Sequence, residues 1–205
     1  EWRQVWSAHL ALTTMADDVL GMILEELKKQ GKYENTCVVF TADHGDSLGQ
    51  HQMYQKMEMY EESVKIPLVI RLPGAKTGKT AKLVSHLDLK TLCEIGGASA
   101  GACDGRSLVP FLEGKEELEQ KPAYIQYSGN PSYGTIRRAV VTERYKYIYD
   151  SSHAHELYDL EKDPHEMNNV ADDPRYETVL KELHEACKRF HQDHQDYFDW
   201  EGKRK

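Results

Sequence analysis

Nothing in the 205 residues stays apolar for long. The longest such runs, among them Cys37-Val-Val-Phe40 and Pro67-Leu-Val-Ile70, are only a few residues, against the roughly 20 that a membrane-spanning helix needs. The chain opens Glu1-Trp2-Arg3-Gln4, with neither Met nor a basic-then-apolar leader. It therefore reads as a piece of a longer protein with any targeting signal upstream. Cysteine is scarce: Cys37, Cys93, Cys103 and Cys187 lie far apart, with no CxxC and no histidine at zinc-like spacing. So sparse a set argues against a disulfide framework and slightly favours the cytoplasm over secretion or the periplasm. Positive charge is also short. Lys and Arg number 26 against 34 Asp and Glu, for a net charge of −8, and they are scattered rather than striped. Nucleic acid and anionic membrane are thereby disfavoured as partners. An anionic substrate must be attracted by a local cluster or a metal.

What is present is ordinary for a globular protein, with 40% hydrophobic and 29% charged residues. Leu12, Met15, Val19, Ile23 and Leu27 recur at steps of three or four, which predicts a helix over about 7–30. Lys28, Lys29 and Gly31 then form a C-terminal stop. Asn35 to Ala42 reads as a buried strand of a parallel sheet. Ile66–Leu72, ended by Pro73-Gly74, and Lys82–His86 read as further strands, the latter leading into a helix over about 88–95 that stops at Gly96-Gly97. Alternation of this kind implies an α/β sheet. Beyond the Gly- and Ser-rich 96–105, the pattern changes. Ser107–Leu112 is a helical turn. Tyr124–Tyr127, Thr135–Thr142, Tyr145–Tyr149 and His155–Leu160 read as antiparallel strands, with Glu143-Arg144 in a turn. A last helix over about 174–195 starts with Pro174 and buries Tyr176, Leu180, Leu183, Cys187 and Phe190.

The chemistry concentrates in Val38-Val-Phe-Thr-Ala-Asp-His-Gly-Asp46. Asp43 and His44 follow a strand directly, and ligands bind at the carboxyl ends of strands in open α/β sheets. A carboxylate oxygen and a neutral imidazole nitrogen are common metal ligands. Read alone, Asp-His-Gly is more readily a polar turn that ends a strand. Its context is Leu48-Gly-Gln-His51, Tyr54-Gln-Lys56 and Met59-Tyr-Glu-Glu-Ser-Val-Lys-Ile-Pro-Leu-Val-Ile70. Further on come Ser85-His-Leu-Asp-Leu89, Gly105-Arg-Ser-Leu108, Arg144-Tyr-Lys-Tyr-Ile148 and Glu156-Leu-Tyr-Asp-Leu160. In this order, these segments resemble the sulfatase family of the alkaline phosphatase superfamily, over nearly the whole chain.

The resemblance implies an α/β fold. Residues 1–100 would form part of an alkaline-phosphatase-like sandwich, and residues 101–205 a small C-terminal antiparallel sheet with a packed helix. By position, Asp43 and His44 would hold a divalent metal, calcium in most of the family, with manganese open because a nitrogen ligand is less typical of calcium. Lys56 would contact the sulfate group; otherwise it is a solvated loop lysine. His51 is a candidate for binding substrate or protonating the leaving group, or else a polar loop histidine. His86 reads as structural. His153, His155, His165, His184, His191 and His194 read as surface or helix-face residues, and Arg137 and Arg138 as strand charges facing water or an anion. The family's nucleophile, a formylglycine made from Cys or Ser in a Cys/Ser-x-Pro-x-Arg segment, is not matched. Cys103-Asp-Gly-Arg106 comes nearest, but lacks the Pro and is one residue short. The piece by itself is therefore expected to lack turnover. Its substrate would be a sulfate-ester small molecule or a sulfated glycan. Two other readings remain: a phosphonate or phosphate ester hydrolase of the same layout, and a non-catalytic binding module in which Asp43-His44 is only a turn.

Overall fold

The structure is a computed structural model that describes residues 1–99, 101–129, 136–151, 154–197 and 200. Helix α1 (Trp2–Lys29) begins earlier than the periodicity suggested and ends where expected. Lys28 and Lys29 occupy its last turn, and Gly31 follows with φ +65, so cations sit at the negative helix end and a residue without a Cβ takes the left-handed position. None of its residues is buried, and Leu12, Met15, Val19 and Ile23 stand open to solvent. The helix is amphipathic, but nothing among the described residues covers its apolar stripe. Its first turns nevertheless touch the loop beyond Asp43-His44. Trp6 Nε1 donates to Leu48 O at 3.0 Å, and the Trp2 ring lies where a side chain on Gly49 would project.

Strands β1 (Val38–Thr41) and β2 (Leu68–Arg71) form a two-stranded sheet. They pair antiparallel, Val38 opposite Arg71 and Thr41 opposite Leu68, which corrects the parallel reading. The link between them holds a 3-10 turn (Gln50–Gln52) and a one-turn helix α2 (Glu61–Val64). It lacks the crossover helix that a parallel neighbour requires. The burial expected of β1 is incomplete as well, since Phe40 and Val69, side by side in the register, are exposed. Lys82–His86 is not a strand. Its Ser85 instead caps a 3-10 turn (His86–Lys90) in a reciprocal capping box with Asp88, and helix α3 (Thr91–Ile95) continues from there. Helix α4 (Val109–Leu112) supplies the expected helical turn.

The C-terminal part follows its pattern closely. Strands β3 (Ala123–Tyr127), β4 (Arg137–Val141), β5 (Tyr145–Asp150) and β6 (Glu156–Asp159) form an antiparallel sheet in that order, with Glu143-Arg144 in the β4–β5 turn. The start expected at Thr135 lies outside the described residues. Helix α5 (Glu177–Asp193) follows a 3-10 turn opened by Pro174. Side chains alternate across the sheet, and both faces are covered. Val140, Tyr147 and Leu157 pack on Leu183 and Cys187 of α5, with Tyr176 and Leu180 alongside. Phe190 stacks flat on Tyr124. On the opposite face, Ala139, Ile148 and Tyr158 pack on Met59, with Tyr60 and Val64 beside it. The chain around α2 thus serves as the second layer of the C-terminal sheet, so the two halves share a core.

Candidate active site

The end of β1 turns sharply after Ala42, and Gly45 makes the turn possible. Gly45 N donates to Ser63 O at 2.8 Å. A Cβ on Gly45 would lie 1.9 Å from Glu62 O, so only glycine lets this turn approach α2 so closely. On the outer side, Asp43 is fully accessible and its carboxylate accepts from His44 N at 3.0 Å. That bond, with lesser help from the charges of His44 and Lys56, holds the Asp43 carboxyl below the usual carboxylate range. His44 Nδ1 lies 2.8 Å from Gly45 O. A carbonyl only accepts, so Nδ1 carries the proton and Nε2 presents a lone pair. Nε2 is 3.3 Å from Asp43 Oδ2. Two donors at that separation can both reach one cation at about 2.0–2.5 Å, and both are open. The donor pair therefore fits a divalent metal. Two donors alone are an incomplete coordination set.

Lys56 lines the same cleft of about 1550 Å3 as Asp43 and His44. Its backbone is held while its ammonium is free. Lys56 O accepts from Ser63 Oγ at 2.8 Å, and Gln55 O accepts from Ser47 N at 2.8 Å. Among the described residues, Nζ has no hydrogen bond or ion pair. His86 also lines this cleft, and its Nε2 donates to Ala42 O at 2.9 Å, bracing the residue before Asp43.

His51 is not part of this group. Its ring stacks on Tyr60 at 4.0 Å between centroids, with Nε2 3.7 Å from Glu62 Oε2 and only 11% of its side chain exposed. The loop that carries it takes a left-handed turn there (φ 51) and directs the imidazole under α2. With Glu166, these residues offer ligand atoms within 4.8 Å of one another. A cation already sits there, however: Lys146 Nζ is 2.7 Å from both Glu166 Oε1 and Glu61 Oε1.

Several residues read as surface charges prove to be inside. Arg138 is fully buried and forks onto both oxygens of Asp196 at 2.6 and 2.8 Å. Arg137 donates to Asp150 Oδ2 and to Met57 O. His191 is buried and His184 hydrogen-bonds Tyr147, whereas His155, His165 and His194 are exposed; His153 lies outside the described residues. Arg106 of the nucleophile look-alike donates to the carbonyls of Leu83 and Glu119 and lies beside Asp88, so that segment is a structural tie. Strand alternation could have revealed the inward charges, because Arg137 and Lys146 share a sheet face with Ala139 and Ile148.

Two family models match. One described as N-sulphoglucosamine sulphohydrolase, C-terminal, covers residues 49–193, and one described as sulfatase covers residues 2–92. An N-acetylglucosamine-6-O-sulfatase of Bacteroides thetaiotaomicron is 33% identical over 96% of this chain and 37% of its own length. Among solved structures, one in complex with its substrate D-glucosamine-2-N,6-O-disulfate superposes with a TM-score of 0.76 at 30% identity, over 88% of this chain and 39% of that one. The phosphonate monoester hydrolase of Agrobacterium radiobacter also gives 0.76 at 30% identity, over 89% and 41%. The chain therefore spans well under half the length of the relatives it matches.

Proposed function

Since the chain belongs to the sulfatase family of the alkaline phosphatase superfamily, we propose that the intact protein hydrolyses sulfate esters. Asp43 and His44 hold a divalent cation, and Lys56 takes the ester's anionic group. The observation that carries this reading is a single cleft with an open carboxylate, an imidazole lone pair and an ammonium that has no partner among the described residues. Calcium is the expected cation, and the His44 nitrogen keeps manganese in play. When bound, it neutralises charge on the ester and polarises its oxygens. Lys56 adds three rotatable donors for a tetrahedral oxyanion. The hydrogen bond from His44 Nδ1 to Gly45 O keeps the imidazole in the tautomer that can ligate. His51, turned under α2, holds the loop instead of touching substrate. The nucleophile, expected as formylglycine, and the remaining ligands belong to sequence outside this chain. Sulfated sugars are the first substrates to try, given the disulfated glucosamine bound by one structural neighbour.

A second reading, phosphonate ester hydrolysis, is favoured by the phosphonate monoester hydrolase neighbour at equal similarity. The test is hydrolysis of 4-nitrophenyl sulfate, sulfated glucosamines and a 4-nitrophenyl phosphonate ester by the intact protein, with mass spectrometry for formylglycine. Sulfate release that is lost with EDTA and with Lys56→Ala supports the first reading. Preference for the phosphonate supports the second. Hydrolysis indifferent to both EDTA and Lys56→Ala refutes the assigned roles.

A further inference from the structure

Lys56 poses a positioning problem. Its ammonium has no hydrogen bond or ion pair among the described residues, so no described side chain fixes where the charge points. Only the backbone can do so, and the residue after it is gripped by the C-terminal sheet. Arg137 Nη1 donates to Met57 O at 2.6 Å and lies 2.9 Å from Glu58 Oε1, while its Nε donates to Asp150 Oδ2 at 2.7 Å. The guanidinium is well buried, and Asp150 is almost completely so. Flanking carboxylates more than offset the burial and keep the Arg137 guanidinium firmly charged. Met59 enters the core beside Ala139 and Ile148, Tyr60 Oη donates to Glu156 at 3.0 Å, and Glu61 N donates to Glu166 at 2.6 Å. Five consecutive residues, 57 to 61, are thus fastened to the C-terminal sheet and the segment after β6, and Arg137 is the fastening nearest Lys56.

A half-buried arginine committed to a backbone carbonyl and two carboxylates is more than the fold requires. An apolar set in place of Arg137, Glu58 and Asp150 together could fill this position at comparable stability, whereas removing Arg137 alone strands the Asp150 carboxylate. What such a set could not do is grip a carbonyl in a fixed direction.

We propose that Arg137 is a positioning residue for Lys56: through Met57 O and the Glu58–Asp150 pair, it sets the backbone from which the Lys56 ammonium reaches the substrate anion. The proposal rests on the role given to Lys56 above. A displacement of about 1 Å in such a group costs on the order of 100-fold in rate, so loss of this grip is expected to lower the rate as well as the stability.

The experiment is a double-mutant cycle in the intact protein with Arg137→Met and Lys56→Ala, reading kcat and KM for the substrate it turns over, alongside thermal unfolding. Arg137→Met is expected to lower kcat/KM about tenfold or more with Lys56 present and to have little effect in the Lys56→Ala background. Arg137→Lys should recover part of the loss. An equal loss in both backgrounds overturns the proposal, because Arg137 then acts on the fold and not on Lys56. If Lys56→Ala itself changes nothing, the assignment of Lys56 fails instead, and the two failures are told apart. Should Arg137→Met not fold, Glu58→Gln loosens the same grip from its more exposed side. The same non-additivity at smaller amplitude is expected there, and additivity again refutes it.

Discussion

Gly45→Ala is the sharpest probe of the Asp43-His44 turn. The added methyl would lie 1.9 Å from Glu62 O and 3.0 Å from Glu62 C. A relaxed carbon–oxygen contact is about 3.3 Å or more, so turn and α2 must part by about 1.4 Å. The obstacle is backbone, which cannot rotate away as a flexible side chain would. Parting stretches the 2.8 Å bond from Gly45 N to Ser63 O, and Ser63 Oγ is the group that holds Lys56 O. One methyl therefore disturbs both halves of the site. Overpacking of this kind costs about 1–3 kcal/mol of stability, and misplacement of the reacting groups costs about 100-fold in rate. The assay is kcat/KM together with calcium affinity by titration calorimetry in the intact protein, and unfolding followed by circular dichroism. We expect cation binding and turnover to fall together while the protein remains folded at 25 °C. Activity and cation affinity within twofold of the parent would show that the turn does not need its present geometry, and would refute the reasoning.

Lys56→Ala should lower turnover of the charged ester by about 100- to 1000-fold, in the range of a removed oxyanion donor, while calcium affinity stays unchanged; steady-state kinetics and calorimetry check both. Asp43→Asn should weaken calcium binding, read by the same titration, and additional calcium should restore part of the activity. Lys146→Met removes the ammonium paired with Glu166, whose side chain is fully buried, and should destabilise the protein by about 3–5 kcal/mol in denaturant titration; adding Glu166→Gln should recover much of it. Burial, reinforced by the Arg138 charge, pushes His191 down to about 4. A folded pKa below the unfolded one near 6.5 means that the unfolded chain takes up the proton first as pH falls. The stability concerned is whole above about 6.5 and is lost progressively toward pH 4. His191→Gln should flatten this part of the stability–pH curve, measured by thermal unfolding across that window.

The legible parts of the fold are those with a period. Leu183 and Cys187 came from helical spacing. The β4–β5 hairpin came from alternating residues around Glu143-Arg144. The Asp43-His44 turn came from its place after a strand. Strand direction was not legible for β1 and β2, because a short apolar run such as Val38-Val-Phe40 reads the same in either sense, and its partner is set by the long connection. Lys82–His86 misled because Leu83 and Val84 look like a strand, whereas Ser85 and Asp88 form a capping box. At the site, spacing marked which residues were candidates but not where they point. His51 and Lys56 are five apart in one loop. A left-handed turn at His51 sends its ring inward under Tyr60, while Lys56 stays in the cleft. The inward charges of Arg137, Arg138 and Lys146 went unread because each is neutralised by a residue distant in sequence, among them Asp196, Glu61 and Glu166.

Cys187, packed between α5 and the sheet, carries a practical consequence. Its thiol is sealed from solvent and pushed up to about 12 by burial, so essentially no thiolate is available to an alkylating reagent while the lobe is closed. Cys93 and Cys103 are exposed. A short pulse of iodoacetamide should therefore tag those two at once and leave Cys187 untouched. Its slow labelling then becomes a clock for the opening of the C-terminal lobe under native conditions, read by peptide mass and needing no engineered probe. Because Met59 and Tyr60 share that sheet's other face with the segment that carries Lys56, a ligand that steadies the cleft should slow the clock from across the sheet.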